Sequence, residues 1–82
     1  MTEVLVYSRP GCHLCEEALD AIVALHGEGY DFELREIDIE SDEDLLRRLL
    51  ERIPVVEVDG ERVSELVLDE VGLRARLDNV GT

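Results

Sequence analysis

The sequence predicts an α/β domain built on a four-stranded mixed sheet, with helices on both faces and the order β-α-β-α-β-β-α. Three observations carry this prediction. Short apolar runs of strand type alternate with stretches whose apolar residues recur at helical spacing. The first two strand runs are separated by a helical segment, the crossover that parallel neighbours require. The last two are separated by Asp59-Gly60, the strongest hairpin signal in the chain.

Each element has its own signal. Val4-Leu5-Val6-Tyr7 centres a first strand over residues 3–8, and Pro10-Gly11 marks the turn that follows. Cys15, Ala18, Leu19 and Ile22 then form the stripe of an amphipathic first helix over residues 12–26, which Gly27-Glu28-Gly29 stops. Tyr30 to Ile39 alternates as a second strand. Ser41 is the expected cap of a second helix, with acids in its first turn and Leu45, Leu46, Leu49 and Leu50 as its apolar face. Ile53-Pro54 ends that helix, Val55 to Val58 is a third strand, and Glu61 to Leu66 returns as a fourth. Asp69 is placed to cap a last helix through Leu77, with Leu73 and Leu77 turned inward and Gly72 as a weak point. Residues 79–82 read as a tail. No linker, repeat or low-complexity segment divides the chain, so residues 1–82 are one domain.

The chain's two cysteines, Cys12 and Cys15, fall at the junction of the first strand and first helix. That position has chemical consequences. The first turn of a helix carries amide N–H groups without intrahelical partners, and the macrodipole adds partial positive charge there. A thiolate at Cys12 is favoured by both, and cysteines in such settings have the pKa lowered to roughly 3.5–7.5. Cys15, one turn further on, lies on the same helix face. A small adjustment of that turn closes a disulfide, so the spacing suits a bond that forms and breaks. Arg9 and His13 flank Cys12 as cations able to stabilise a thiolate, although Glu16 and Glu17 oppose them. The plain reading of His13 is a solvated residue on the first turn.

Two other readings of the pair are weaker. A structural disulfide here closes a very small loop and constrains the unfolded chain little. A zinc site wants four ligands, and no second Cys-x-x-Cys or His pair follows. His26 lies about three helical turns beyond Cys15, too far to join it. No metal site is therefore assigned, and Cys12 and Cys15 are read as a redox pair.

Composition narrows the setting. With 82 residues, 45% of them hydrophobic and 35% charged, the chain suffices for a small folded core, and it has no run able to span a membrane. The net charge of −13 argues against nucleic acid or an anionic membrane as partner. Met1-Thr2-Glu3-Val4 is acidic and enters a strand at once, unlike a signal peptide. A monomer in a reducing cytoplasm is the expectation, which favours a catalytic pair over a structural one.

With these motifs in place, the chain resembles the glutaredoxin branch of the thioredoxin superfamily over nearly its whole length. The resemblance is carried by Tyr7-Ser8-Arg9, Cys12-x-x-Cys15, Ile53-Pro54-Val55-Val56 and Asp59-Gly60, in that order. It is nearest to small glutaredoxin-like proteins with Ser-Arg-Pro-Gly-Cys-His-Leu-Cys ahead of an acidic helix. It implies a thioredoxin-like fold, Cys12 as nucleophile and Cys15 as resolving thiol. It also implies a cis Pro54 beside the active site, against the trans bond that an isolated X–Pro pair favours. Arg9, His13, Ile53 and Pro54 are the residues expected to meet the substrate. That substrate is a protein or small-molecule disulfide, and a thioredoxin-type or glutathione reductant restores the pair. No resident cofactor is implied. Glutathione use is in doubt, because Ser64-Glu65 stands where glutathione-using members typically carry Gly-Gly, and Asp69 fits their following Asp only with a shift. A glutamate there is expected to repel the tripeptide's carboxylate. The alternatives to a thiol–disulfide oxidoreductase are a binding module that keeps the fold, or an iron–sulfur-binding protein using Cys12.

Overall fold

Burial along the first strand, β1 (Glu3–Ser8), alternates residue by residue, and this sets the architecture. Val4 and Val6 are fully buried on one face of the sheet, whereas Leu5 and Tyr7 turn to the other and are partly covered. The computed structural model describes residues 2–80, with side chains through residue 78. Its elements are β1, α1 (His13–Gly27), β2 (Glu33–Asp38), α2 (Glu43–Leu49), β3 (Val55–Val58), β4 (Glu61–Glu65) and α3 (Glu70–Val80). The expected order β-α-β-α-β-β-α is the one found, and the sheet order is β2-β1-β3-β4. β1 runs parallel to β2 and antiparallel to β3, and β3 and β4 form the hairpin. Asp59 and Gly60 make its turn with φ of 50° and 87°, the left-handed pair that a two-residue hairpin needs.

The two faces are covered unequally. Val4, Val6, Val56 and Val58 pack against Ile22 and Leu25 of α1, Leu73 and Leu77 of α3, and Phe32. On the opposite face Val55 and the half-buried Tyr7 meet Leu45, Leu46 and Leu49 of the short α2, together with Ile39, Ile53 and both cysteines. Among the described residues no helix is long and apolar enough to cross a membrane.

Several boundaries differ from the expectation, each for a physical reason. β2 starts at Glu33 rather than Tyr30 because its sole partner, β1, begins at Glu3, opposite Glu33. Ile39 leaves the strand for one turn of 3₁₀ helix, Ile39–Ser41. Asp42 rather than Ser41 caps α2. Its Oδ1 accepts from the Asp44 and Leu45 amides at 2.8 and 3.3 Å, while the Ser41 hydroxyl donates to the Asp38 carbonyl. Leu50 lies past the end of α2 and is exposed rather than part of its apolar face.

Asp69 does cap α3: its Oδ1 accepts from the Gly72 amide at 2.9 Å. A side chain at Gly72 would collide with that carboxylate, so the glycine there makes room for the cap. α3 continues through Val80, past the expected end at Leu77, and residues 81–82 of the expected tail lie outside the described residues.

Candidate active site

The site forms where β1 ends and α1 begins. Gly11, at φ +79°, lets the chain turn from the strand into the helix, and Cys12 takes the N-cap position with an extended backbone. Its Sγ accepts a hydrogen bond from the Cys15 amide at 3.2 Å. The unpartnered first-turn amide thus points at the cysteine sulfur, the arrangement that favours negative charge on it. Cys12 and Cys15 are joined by a disulfide with their Cα atoms 5.2 Å apart. Cys12 is half-buried. Cys15 is 1% exposed, packed with Ile39, Leu49, Ile53 and Val55.

The Ile53–Pro54 peptide is cis; Pro54 is buried, and Ile53 packs in the layer beneath the cysteines. Ile53 is held from behind, its N–H donating to the Leu49 carbonyl at 3.0 Å. A groove of about 410 Å³ runs past Cys12, lined by Arg9, Pro10, Gly11, Leu50, Glu51, Ile53 and Leu66. Behind the pair, a second cavity of about 310 Å³ reaches Cys15 from the β1–β2 side. There the buried Ser8 hydroxyl donates to Glu36 Oε2 at 2.7 Å.

The residues expected around the cysteines have different fates. Arg9 lines both cavities, but its guanidinium pairs with Glu40 at 2.9 Å. His13 lines neither of these two cavities; its side chain is 95% exposed, with Glu16 at 3.6 Å. His26 stacks on Phe32, ring centroids 4.0 Å apart, well away from the pair. Glu65 is not a free anion: its Oε2 accepts from Arg52 at 3.2 Å and from Arg62 at 2.9 Å.

Leu50, Glu51 and Leu66 line the groove without having been singled out by the sequence. Leu50 reads as core from its helical spacing. Leu66 reads as the end of a strand, and nothing in its type announces a φ of +64°.

A disulfide-bonded Cys-x-x-Cys at the head of a helix, at the carboxyl end of an interior strand and over a cis-proline loop, defines the thioredoxin-like class of α/β proteins. Within it, the chain belongs to the glutaredoxin-like domain family (DUF836), whose family profile matches residues 3–78. Among solved structures, the chain is similar to protein Ne2328 from Nitrosomonas europaea, with 28% identity over 92% of this chain and 89% of that one, and a TM-score of 0.72. It is also similar to a glutaredoxin from Brucella melitensis, with 26% identity, 96% and 82% coverage and a TM-score of 0.54. A mutant thioredoxin from Halobacterium salinarum, 23% identical with 95% and 73% coverage, shares the fold at a TM-score of 0.65. No curated protein matches the chain.

Proposed function

We propose that the protein is a thiol–disulfide oxidoreductase acting through Cys12 and Cys15. The reading rests on one observation above all: the Cys12 sulfur caps α1 and receives the Cys15 amide, while Cys15 is buried one turn away. In the reduced protein that amide favours the Cys12 thiolate, which is the nucleophile in disulfide exchange.

The thiolate attacks a substrate disulfide, forming a mixed disulfide at Cys12 and releasing one substrate thiol, which takes up a proton. Cys15 then loses its proton and attacks the Cys12 sulfur, closing the internal disulfide and releasing the second thiol. The substrate gains two electrons and two protons, and the cysteine pair loses them. A dithiol reductant of thioredoxin type is proposed to reverse the change, in a reducing cytoplasm.

Glutathione is proposed to serve poorly. Repulsion by Glu65 is not the reason, since two arginines bracket its carboxylate. The obstacle is Leu66, next to the Ser64-Glu65 pair, which is half-exposed and lines the groove past Cys12.

Redox titration of the purified protein is the central test. A reversible two-electron couple between Cys12 and Cys15 is expected, and its absence sinks the proposal. Alkylation of the reduced protein at mildly acidic pH, followed by mass mapping, should label Cys12 before Cys15. Cys12→Ser should abolish disulfide reduction, whereas Cys15→Ser should accumulate the mixed disulfide with substrate.

A further inference from the structure

Leu66 is the residue whose backbone is least explained by folding alone. Its φ of +64° lies in the left-handed region, which is costly for a branched, non-glycine residue. Two hydrogen bonds hold it there. Its own N–H donates to the Arg52 carbonyl at 2.9 Å, and the Val67 N–H donates across it to the Glu65 carbonyl at 2.7 Å, closing a three-residue turn. Burial does not offset this cost, because Leu66 is 50% exposed.

Its side chain is instead shared by two grooves. One is the groove past Cys12; the other, of about 170 Å³, is lined by Leu14, Glu17, Ala18, Ala21, Val67, Leu68 and Glu70. Leu14 is 48% exposed and Val67 70%, so with Leu50 and Leu66 they make an apolar collar along the two grooves, one of which runs past Cys12. Charge at the collar is one-sided. Glu51 and Glu17 stand in the two grooves with no cationic partner among the described residues, and Arg9, the one base, is taken up by Glu40.

We propose that Leu66 determines specificity by selecting a polypeptide disulfide whose reactive cysteine is flanked by apolar side chains, with basic residues beyond them. This rests on the disulfide-exchange reading above. The apolar neighbours would be buried against Leu14, Leu50 and Leu66, and the bases would meet Glu17 and Glu51 on a chain of net charge −13. The strained backbone is explained by the same role, since it holds the leucine out at the junction of the grooves.

The test uses two short capped peptides, Arg-Leu-Cys-Leu-Arg and Glu-Ser-Cys-Ser-Glu, each as its mixed disulfide with nitrothiobenzoate. Cys12 attacks the peptide sulfur and releases the coloured thiol. Cys15 then frees the peptide thiol, and the protein disulfide is reset by dithiothreitol. The readout is the ratio of kcat/KM for the two peptides within each protein, which cancels changes in Cys12 reactivity.

The unmodified protein should favour the first peptide by roughly tenfold or more, given what one apolar contact contributes to discrimination. Leu66→Gly should lower the ratio several-fold, leaving the smaller charge preference of Glu17 and Glu51, without lowering the melting temperature, since glycine takes positive φ freely. Glu51→Gln should reduce the ratio more at low salt than at high. A ratio near one in the unmodified protein, a preference for the acidic peptide, or a ratio unchanged in Leu66→Gly overturns the proposal. Turnover of hydroxyethyl disulfide, which has no side chains to select, separates the two levels. If the unmodified protein reduces neither it nor the peptides, the oxidoreductase reading itself fails.

Discussion

The two faces of the sheet do different jobs with similar residues. The face under α1 and α3 is a continuous apolar layer, in which Val4, Val6, Ile22, Leu25, Val56, Val58 and Leu73 are fully removed from water. The face under α2 is covered at one end, where a seven-residue helix, the 3₁₀ turn and the cis-proline loop enclose a smaller cluster. The cysteine pair belongs to that smaller cluster, although Cys15 sits on the same helix as Ile22. Stability in so small a domain has to come from the larger layer. The smaller one places Cys15 one turn from water with Cys12 at its edge. The contrast teaches that the site occupies the thinly covered face, where a groove can open without exposing the main core.

The largest expected effect tests this division directly. Ile22→Ala should cost about 2–5 kcal/mol, a large part of the roughly 5–15 kcal/mol available to a domain. Leu49→Ala should fall at the low end of that range, because the thinner layer can relax around the gap, while slowing disulfide exchange by loosening the packing behind Cys15. Urea unfolding of the oxidised proteins decides this. Equal losses would mean that the two layers are one cooperative core.

A smaller effect of opposite sign is expected at Ser64. Its hydroxyl is buried with no hydrogen-bond partner among the described residues, and it lies beside Val56 on the thick face. Ser64→Ala removes an unsatisfied polar group and should stabilise the protein by about 1 kcal/mol in the same assay. A loss of stability would show that the hydroxyl is bonded after all.

The smallest effect concerns the outer edge of the thick face. Arg74 of α3 reaches Glu28, the C-cap of α1, at 2.8 Å and Glu70 at 3.2 Å, with its guanidinium carbon 6.0 Å from the Tyr30 ring centroid. The hydrogen bond from Arg74 holds the Glu28 carboxyl below the usual glutamate range, and the same bond raises the Arg74 pKa. A carboxyl whose pKa is depressed on folding stabilises fully above its unfolded value, about 4.3, and the gain is lost as pH falls through the lower folded value. Both groups are exposed, so Arg74→Gln should lower the melting temperature only slightly at neutral pH. The difference from the unmodified protein should narrow below about pH 4. A difference that is constant through acid would remove Glu28 from the account.

By itself the sequence determined what near neighbours decide. The element order, the Asp59-Gly60 turn, the Asp69 cap and the placing of Cys12 at the head of a helix follow from periodicity and turn chemistry within a few residues. Family resemblance added the cis Pro54, which local preference opposes. Only the tertiary structure decided the partners that meet across the fold. Arg9 is drawn to Glu40, Glu65 is bracketed by Arg52 and Arg62, and His13 is left in water. Leu50 leaves the expected core and Leu66 the expected strand end to line the groove, Leu66 through its backbone N–H donating to the Arg52 carbonyl, a contact that no propensity encodes. The physical reason is distance along the chain. A cap or a hairpin turn is closed by residues two to four apart. A salt bridge or a groove wall depends on which strands become neighbours, and that is set by the whole sheet at once.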